Sequence, residues 1–313
     1  MINGILNIYK EKGYTSHDVV ARLRGIVGQK KIGHTGTLDP DAEGVLPVCL
    51  GRATKICDLL TDKDKIYEAV LLLGKTTDTQ DISGKVLQEC DTDVIEKIDE
   101  EQVISCIEGF VGEYDQMPPM YSALKVNGKK LYELAREGKT VERKRRKVTI
   151  HAIRIKELHL PRVRMEVECS KGTYIRTLCH DIGEKLGVGG CMESLLRTRV
   201  SSFGIEDSLK LDEIEEAVKS GRLAEVMLTP DEVFADLGAV TVQEKYVPLA
   251  YNGNPFSGKC ITEDRIDFAE GDRFRVYDSR RRFIGIYRYD NRSRQFRIEK
   301  MFLDPEELKK QKD

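Results

Sequence analysis

The sequence has no long apolar run and no apolar leader at its N-terminus. Met1 is followed directly by a strand-like stretch from Ile2 to Ile8, so we expect neither a membrane-spanning helix nor a secretory signal. None of its eight cysteines is spaced as CxxC, and no cysteine–histidine cluster suggests zinc. We therefore expect reduced thiols, no metal site and a cytoplasmic protein.

Two phosphate-binding fingerprints are missing as well. Neither a Walker loop nor a GxGxxG pattern occurs in the chain, which argues against ATP and dinucleotide chemistry, so we expect no cofactor. The formal net charge is −2, and the chain as a whole is not basic enough to indicate nucleic acid. Positive charge is concentrated instead in residues 143–147 and in the arginines of 280–297. One such block is often only a solvated surface, whereas two on a near-neutral chain favour a local face for phosphates.

The length and composition indicate a soluble protein of two parts. At 313 residues the chain exceeds the size at which a single core usually stops growing, and 40% of its residues are hydrophobic and 33% charged. The residue pattern changes near residue 238, after which short alternating strands begin. We predict a domain over residues 1–238 and a small β-rich domain over 239–313.

Residues 33–48 form the most conformationally constrained stretch of the chain. They contain three glycines and two prolines, together with one histidine and three acids. Asp39 precedes Pro40, which biases its backbone toward extended geometry, so its carboxylate is expected to project from a loop. An ordinary turn is one alternative for this stretch. A calcium loop is another, but Pro40 interrupts the alternation of acids and the glycine and final glutamate are misplaced for it.

The remaining pattern predicts a mixture of strands and helices. Ser16 is the expected N-cap of a helix that continues to Val27, and Gly187 is expected to end another. A single helical pattern is expected over residues 93–112. Strands are predicted over 4–9, 65–73, 148–155 and 163–169, with a hairpin of 274–277 and 283–287.

Four motifs in residues 4–200 resemble those of a known enzyme family. The stretch GHTGTLDPDAEGVLPV, which contains Asp39, resembles the catalytic motif of the bacterial tRNA pseudouridine-55 synthases, the TruB family. The segments beginning at Lys65 (KIYEA, then LGKTTDTQD), at Pro118 (PPMYSALK) and at Lys171 (KGTYIRTL) are similar to further motifs of that family. A fifth segment, from Lys10 to Ser16, departs from the family pattern because Glu11 stands where proline is commonest.

The resemblance implies roles for three residues. Asp39 corresponds to the essential carboxylate, Tyr67 to the tyrosine that lies over the target base, and Arg176 to the arginine that pairs with the aspartate. Spacing alone favours a half-buried edge position for Tyr67 and a surface ion pair for Arg176. The Tyr67 hydroxyl can also serve as the base that removes the C5 proton.

The substrate-binding set implied by the resemblance is larger. The target uridine must flip out of the folded RNA, and His34 is placed to stack on RNA or to fill the space that the uridine vacates. A histidine that caps the glycine turn is the structural alternative. Leu195 corresponds to a leucine of the base pocket, although most buried leucines are simply core. An RNA-gripping insertion is expected over about residues 122–147, with a mobile solvated hairpin as the alternative. The expected substrate contacts are His34, Tyr174, Leu195, Lys10, Arg143, Arg145 and Arg146.

The family resemblance predicts the reaction, the fold and the partner. It implies isomerisation of the uridine at position 55 in the tRNA T-loop, through either a covalent adduct at C1′ or a glycal-type intermediate. It implies an α+β fold with a large, mostly antiparallel mixed sheet and a small PUA-like C-terminal domain. We expect a monomer that binds the T-arm of tRNA without a protein partner. A synthase for another RNA, or an RNA-binding protein or tRNA-folding chaperone, are the alternatives.

Overall fold

The structure of the chain is a computed structural model that describes residues 1–263 and 267–303. The strands in these ranges are Gly4–Lys10 (β1), Ile32–His34 (β2), Glu43–Leu50 (β3), Lys65–Leu73 (β4), Lys75–Thr77 (β5), Val86–Glu89 (β6), Gly112–Gln116 (β7), Lys125–Val126 (β8), Lys129–Lys130 (β9), Arg146–His159 (β10), Arg162–Cys169 (β11), Gly190–Val200 (β12), Phe203–Gly204 (β13), Gly238–Thr241 (β14), Phe256–Ser257 (β15), Arg273–Tyr277 (β16), Phe283–Asp290 (β17) and Gln295–Met301 (β18). The α-helices are Ser16–Val27 (α1), Cys57–Thr61 (α2), Thr92–Ile95 (α3), Glu100–Glu108 (α4), Leu131–Arg136 (α5), Ile175–Leu186 (α6), Leu211–Lys219 (α7), Pro230–Val233 (α8) and Val247–Tyr251 (α9).

A large sheet forms the body of the protein. Its strands follow the order β1-β3-β12-β4-β11-β10-β7, with β2 paired to β3 and β13 paired to β12. The β3–β12 pair is parallel, and the other pairs of this sheet are antiparallel. The large, mostly antiparallel mixed sheet expected from the sequence is therefore present.

The alternating pattern of the central strands places their apolar residues on one face. On β11, Val163, Met165, Val167 and Cys169 are all fully buried, as a period of two requires for a strand with one covered face. They join Tyr67 and the inward residues of β4 in a core cluster that α4 and α6 cover. The opposite residues of β11 carry charged side chains that reach solvent, so the sheet is covered on one face only at this strand.

The N-cap of α1 lies one residue earlier than the sequence predicted. Thr15, not Ser16, is the N-cap of α1, and Asp18 completes a capping box with it. Ser16 is the first helical residue and is fully buried. The expected ends of α1 and α6 are correct, since Gly28 and Gly187 both take the left-handed conformation that favours glycine.

The single helix expected over residues 93–112 is wrong. The structure divides this stretch into α3 and α4, with Asp99 as the N-cap of the second helix. Asp99 accepts a hydrogen bond from the Glu101 backbone, and an aspartate favours such a cap over a helix interior. The apolar residues on both sides keep helical spacing, which explains why the break is invisible to periodicity.

A second sheet lies in the C-terminal part of the chain, with the order β14-β16-β17-β18-β15. The predicted hairpin is present as β16 and β17, which pair antiparallel. Phe283, Ile286 and Phe302 of this part pack against Ile5 and Val45 of the large sheet. The two sheets are therefore joined by a shared apolar cluster, and not only by the connecting chain.

Candidate active site

The constrained stretch forms a loop between β2 and β3 that presents Asp39. The Leu38 backbone N–H donates to Oγ of Ser16 at 2.9 Å, and the Gly13 N–H donates to the Pro40 carbonyl at 2.9 Å. Leu38 is buried, whereas the Asp39 side chain keeps 39% of its surface exposed. The loop is thus anchored from beneath by the start of α1, and its aspartate faces outward, as the Asp-Pro dipeptide predicted.

Lys10 lies underneath this loop. Its ammonium donates to the carbonyl oxygens of Pro40 at 3.1 Å and Ala42 at 2.5 Å, and its side chain is fully buried. Burial lowers the pKa of Lys10 to about 8, and the negative charge of Asp39 opposes this change. The prediction of a direct substrate contact is therefore at odds with the structure, which places Lys10 as a support of the loop.

Arg176 approaches Asp39 from the first turn of α6. Its Nε atom is 3.0 Å from Oδ2 of Asp39, and its side chain is only 6% exposed. Burial raises the pKa of the Asp39 carboxyl, while the Arg176 guanidinium opposes that rise. The arginine therefore favours the charged form of the carboxylate, against the effect of burial.

Arg176 is held by three further acceptors. Its Nη1 atom lies 3.3 Å from Oδ2 of Asp81 and 3.1 Å from the Thr79 carbonyl, and Nη2 donates to the Tyr121 carbonyl at 2.7 Å. Asp81 belongs to the quoted LGKTTDTQD motif, but nothing in the local pattern pointed to a role for it. In the structure it pairs with Nη1 of the guanidinium, whereas Asp39 contacts Nε and Nη2.

Tyr67 lies on β4 in the same cluster as Leu38 and Ala42 of the loop. It is buried, with 8% of its surface exposed. Burial raises the pKa of its hydroxyl, Arg197 opposes this change, and the charge of Asp39 adds to it. Tyr67 therefore lies near the loop that carries Asp39, and its place over a target base stays a prediction.

Arg197 is a site residue that the sequence analysis did not identify. It lies opposite Tyr67 on the neighbouring strand β12 and is 1% exposed. Its Nε donates to the Val45 carbonyl at 2.7 Å, and Nη2 donates to the Gly36 carbonyl at 3.4 Å. Because Gly36 precedes Asp39 and Val45 follows it, this single side chain ties together the two ends of the loop that carries Asp39.

His34 stands at the start of the loop and contacts a second histidine. Its ring meets that of His17 edge-to-face at a centroid distance of 5.4 Å, and the Gly36 N–H donates to its Nδ1 at 3.3 Å. Burial lowers the pKa of His34, and His17 adds to this effect. The turn-capping alternative is thus present in the structure, and stacking on RNA stays a prediction.

Tyr174 and Leu195 are both next to the central residues. Tyr174 is the N-cap of α6, two residues before Arg176, and burial raises the pKa of its hydroxyl. Leu195 pairs with Ala69 on β4 and packs at the edge of the main core cluster. Both positions are compatible with a base pocket, and their contacts with substrate stay predictions.

The basic block lies beside the segment that precedes the insertion. Arg143 donates to the Pro118 carbonyl and Arg145 donates to the Asp115 carbonyl, each at 2.8 Å. Arg146 is exposed and begins β10, where it pairs with Gln116 of β7. The insertion itself holds the β8–β9 hairpin and α5, so it is a folded element that presents these cations at the surface.

Two further features, a metal-binding cluster and a membrane-spanning helix, are absent from the described residues. Across 1–263 and 267–303, no cluster of three or more histidine, cysteine, aspartate or glutamate residues is arranged to hold a metal ion. In the same ranges, no helix combines the length and apolar character needed to cross a membrane.

Comparisons with known proteins identify the family. Residues 24–175 match the family described as TruB family pseudouridylate synthase (N terminal domain), and residues 176–234 match the tRNA pseudouridylate synthase B C-terminal domain. The tRNA pseudouridine synthase B of Lachnoclostridium phytofermentans is 54% identical over 311 residues, which cover 96% of this chain and 100% of that protein. The enzyme of the same name from Clostridium perfringens strain SM101 is 43% identical over 304 residues, with coverages of 97% and 100%.

Solved structures agree with the fold. The crystal structure of a Cbf5–Nop10–Gar1 complex contains a chain that superposes with a TM-score of 0.74 at 26% identity, covering 97% of this chain and 86% of that one. A structure of an H/ACA RNP bound to a substrate RNA gives a TM-score of 0.73 at 24% identity, with coverages of 96% and 85%. The predicted α+β pseudouridine synthase fold with a PUA-like C-terminal part is therefore confirmed. The chain belongs to the TruB family of tRNA pseudouridylate synthases, which are isomerases.

Proposed function

We propose that the protein isomerises the uridine at position 55 in the T-loop of tRNA to pseudouridine, with Asp39 as the catalytic carboxylate. The observation that carries this proposal is the 3.0 Å contact between Arg176 and Asp39 on an exposed loop beside Tyr67. The names of the relatives supply the RNA class, since they are described as tRNA pseudouridine synthases.

The chemistry requires an ionised carboxylate next to a ribose. Isomerisation breaks the N1–C1′ bond and forms a C5–C1′ bond in its place, so nothing is oxidised and no group is added. Asp39 either adds to C1′ or removes a proton from C2′, and both routes need its negative charge. Arg176 supports that charge, because charge-assisted hydrogen bonds to the ionised form favour it.

Tyr67 serves the base rather than the sugar. Its ring gives a flat surface for the uracil. Its hydroxyl relays the C5 proton to solvent after the new bond has formed, taking up that proton as it releases its own. A stacked T-loop uridine must leave the RNA stack to reach this site, which costs a few kcal/mol. Leu195, Tyr174 and His34 surround the position where the base would lie. Arg143, Arg145 and Arg146 are placed to hold the phosphates.

We also propose that the protein acts as a monomer in the cytoplasm without a protein partner. The monomer is supported by the site itself, because Asp39, Asp81 and Arg176 of a single chain meet there. The cytoplasmic location is supported by the eight cysteines, which are free thiols. Light scattering of the purified protein, alone and with tRNA, tests the monomer.

The function is tested with an unmodified tRNA transcript. Wild-type protein should form pseudouridine at the T-loop position without any added cofactor, whereas Asp39→Asn should form none and retain tRNA affinity within about tenfold. Product at another position, or in another RNA only, would contradict the substrate assignment. Comparing tRNA folding by the two proteins separates chaperoning from catalysis, because only catalysis requires the carboxylate.

A further inference from the structure

Gln116 is the last residue of β7 and is almost completely buried, with 1% of its surface exposed. Its side-chain amide makes two hydrogen bonds to the backbone of a single residue. Nε2 donates to the Tyr174 carbonyl at 3.0 Å, and Oε1 accepts from the Tyr174 N–H at 2.8 Å. A side-chain amide that is matched to one residue in this way fixes that residue both in position and in orientation.

Tyr174 is the residue from which α6 starts. It is the N-cap of that helix, and its own side chain makes no capping hydrogen bond. The first N–H groups of a helix have no partner within the helix, so this end depends on outside contacts for its order. Gln116 supplies such contacts, and it reaches the helix from a strand of the large sheet.

Arg176 follows Tyr174 by two residues, in the first turn of α6. Tyr121, five residues after Gln116 in the chain, accepts a hydrogen bond from the Arg176 guanidinium at 2.7 Å. The segment 116–121 therefore touches the start of α6 at its backbone and again at the arginine side chain. A small shift of this helix end would move the guanidinium relative to Asp39.

We propose that Gln116 is a positioning residue for the isomerisation, because its amide holds the start of α6 so that Arg176 stays against Asp39. This inference rests on the function proposed above. Errors of about 1 Å in the placement of reacting groups cost on the order of a hundredfold in rate. We therefore expect loss of the Gln116 contacts to slow the chemical step while RNA binding is retained.

The test is the substitution Gln116→Met, which keeps a side chain of similar length without the amide. Single-turnover rates at saturating enzyme on the tRNA transcript should fall by about 10- to 100-fold, with tRNA affinity changed by less than about threefold. An unchanged rate would overturn the proposal. Wild-type protein assayed in parallel separates the two claims, since an inactive wild type contradicts the proposed function instead.

The matched control is Asp181→Ala. Asp181 lies on α6 and accepts a hydrogen bond from the Tyr114 hydroxyl of β7, farther along the helix from Arg176 than Tyr174. Tyr114 itself is left in place, because its hydroxyl also neighbours the Gln116 amide. This variant loses a contact between the same two elements, so it should lower stability but keep the wild-type rate. If both variants slow the reaction equally, the effect belongs to strand–helix packing in general and the proposal fails.

A double-mutant cycle measures the coupling between two substitutions, and a merely structural role of Gln116 would not produce coupling with Arg176. If Gln116 acts through Arg176, then Gln116→Met should cost almost nothing further in rate in an Arg176→Ala background. Losses that multiply in full would overturn the inference. If Gln116→Met does not fold, Gln116→Leu replaces it in both measurements, because leucine removes both hydrogen bonds to Tyr174 without burying a charge. An unchanged rate in that variant would equally overturn the inference.

Discussion

The guanidinium of Arg176 and the carboxylate of Asp39 meet at 3.0 Å, although the residues stand 137 positions apart in the chain. Among the described residues, the arginine is buried and has four acceptors, while the aspartate is partly exposed and pairs with this arginine. The pair is therefore asymmetric, with the cation as the fixed member. Burial raises the pKa of the Asp39 carboxyl, and the fixed cation opposes this rise and favours the ionised form.

The first prediction concerns the pH dependence of the reaction. The proposed function requires an ionised Asp39, so the rate should fall as the pH falls through the pKa of this carboxyl. Because the Arg176 charge lowers that pKa, Arg176→Gln should move the acidic limb to higher pH. Because the Asp81 charge raises it, Asp81→Asn should move the limb to lower pH. Single-turnover rates between about pH 4 and 8 measure both limbs, and shifts in the same direction would contradict the electrostatic account.

The second prediction concerns Arg197, which ties together the ends of the loop that carries Asp39. Replacing it by methionine leaves the Gly36 and Val45 carbonyls without their donor, and we expect unfolding to become easier by on the order of 1–3 kcal/mol. Arg199, two residues farther along β12, is exposed, and Arg199→Met should stay within about 0.5 kcal/mol of the wild type. Urea denaturation measures the free energy of unfolding of both variants. Equal losses of stability would show that Arg197 does not hold the ends of the loop together.

The third prediction uses the lowered pKa of Lys10, which is about 8 in the folded protein against an ordinary value of 10.5. Between these two values the unfolded chain binds more protons than the folded one, so the free energy of unfolding should rise with pH in this window. In Lys10→Met this contribution is absent. The wild type should therefore gain stability over the variant between about pH 8 and 10.5, as measured by urea denaturation. A constant difference would show that Lys10 has an ordinary pKa.

The fourth prediction concerns the basic block, residues 143–147. Lys144 is exposed, so Lys144→Ala should weaken tRNA binding and reduce its salt slope by about one, without affecting stability. Arg143 also holds the Pro118 carbonyl, so Arg143→Ala should lose stability as well as affinity. Lys219→Ala, which removes a cation paired with Glu215 on α7, is the control with an unchanged salt slope. An unaltered slope in Lys144→Ala would place the block outside the RNA interface.

Local rules account for the part of the site that depends on neighbours in the chain. Asp39 projects from a loop because Pro40 follows it, and the ends of α1 and α6 are set by glycines. The true N-cap of α1 was also readable, since Thr15 and Asp18 have the spacing of a capping box. Ser16 also belongs to the residue types that favour an N-cap, so the local pattern fits two adjacent positions.

The rest of the site depends on pairing across long separations. Alternation along β12 would put Arg197 on the same side as Arg199, but a register shift between these two residues breaks the period of two. Arg197 therefore enters the core and Arg199 stays in solvent. Asp81 and Gln116 acquire their roles only from contacts with Arg176 and Tyr174, which are nearly one hundred and about sixty residues away. No local pattern contains that information.

The apolar cluster between the two sheets has a practical consequence for handling the protein. Its members come from β1 and β3, from Val233 and Phe234, and from Ile286 and Phe302. A cut placed between residues 234 and 286, including one at the boundary near 238, would divide this cluster between two fragments. Each fragment would then expose apolar surface to water. Expression, labelling or fusion should treat the whole span as a single piece, with additions confined to its ends.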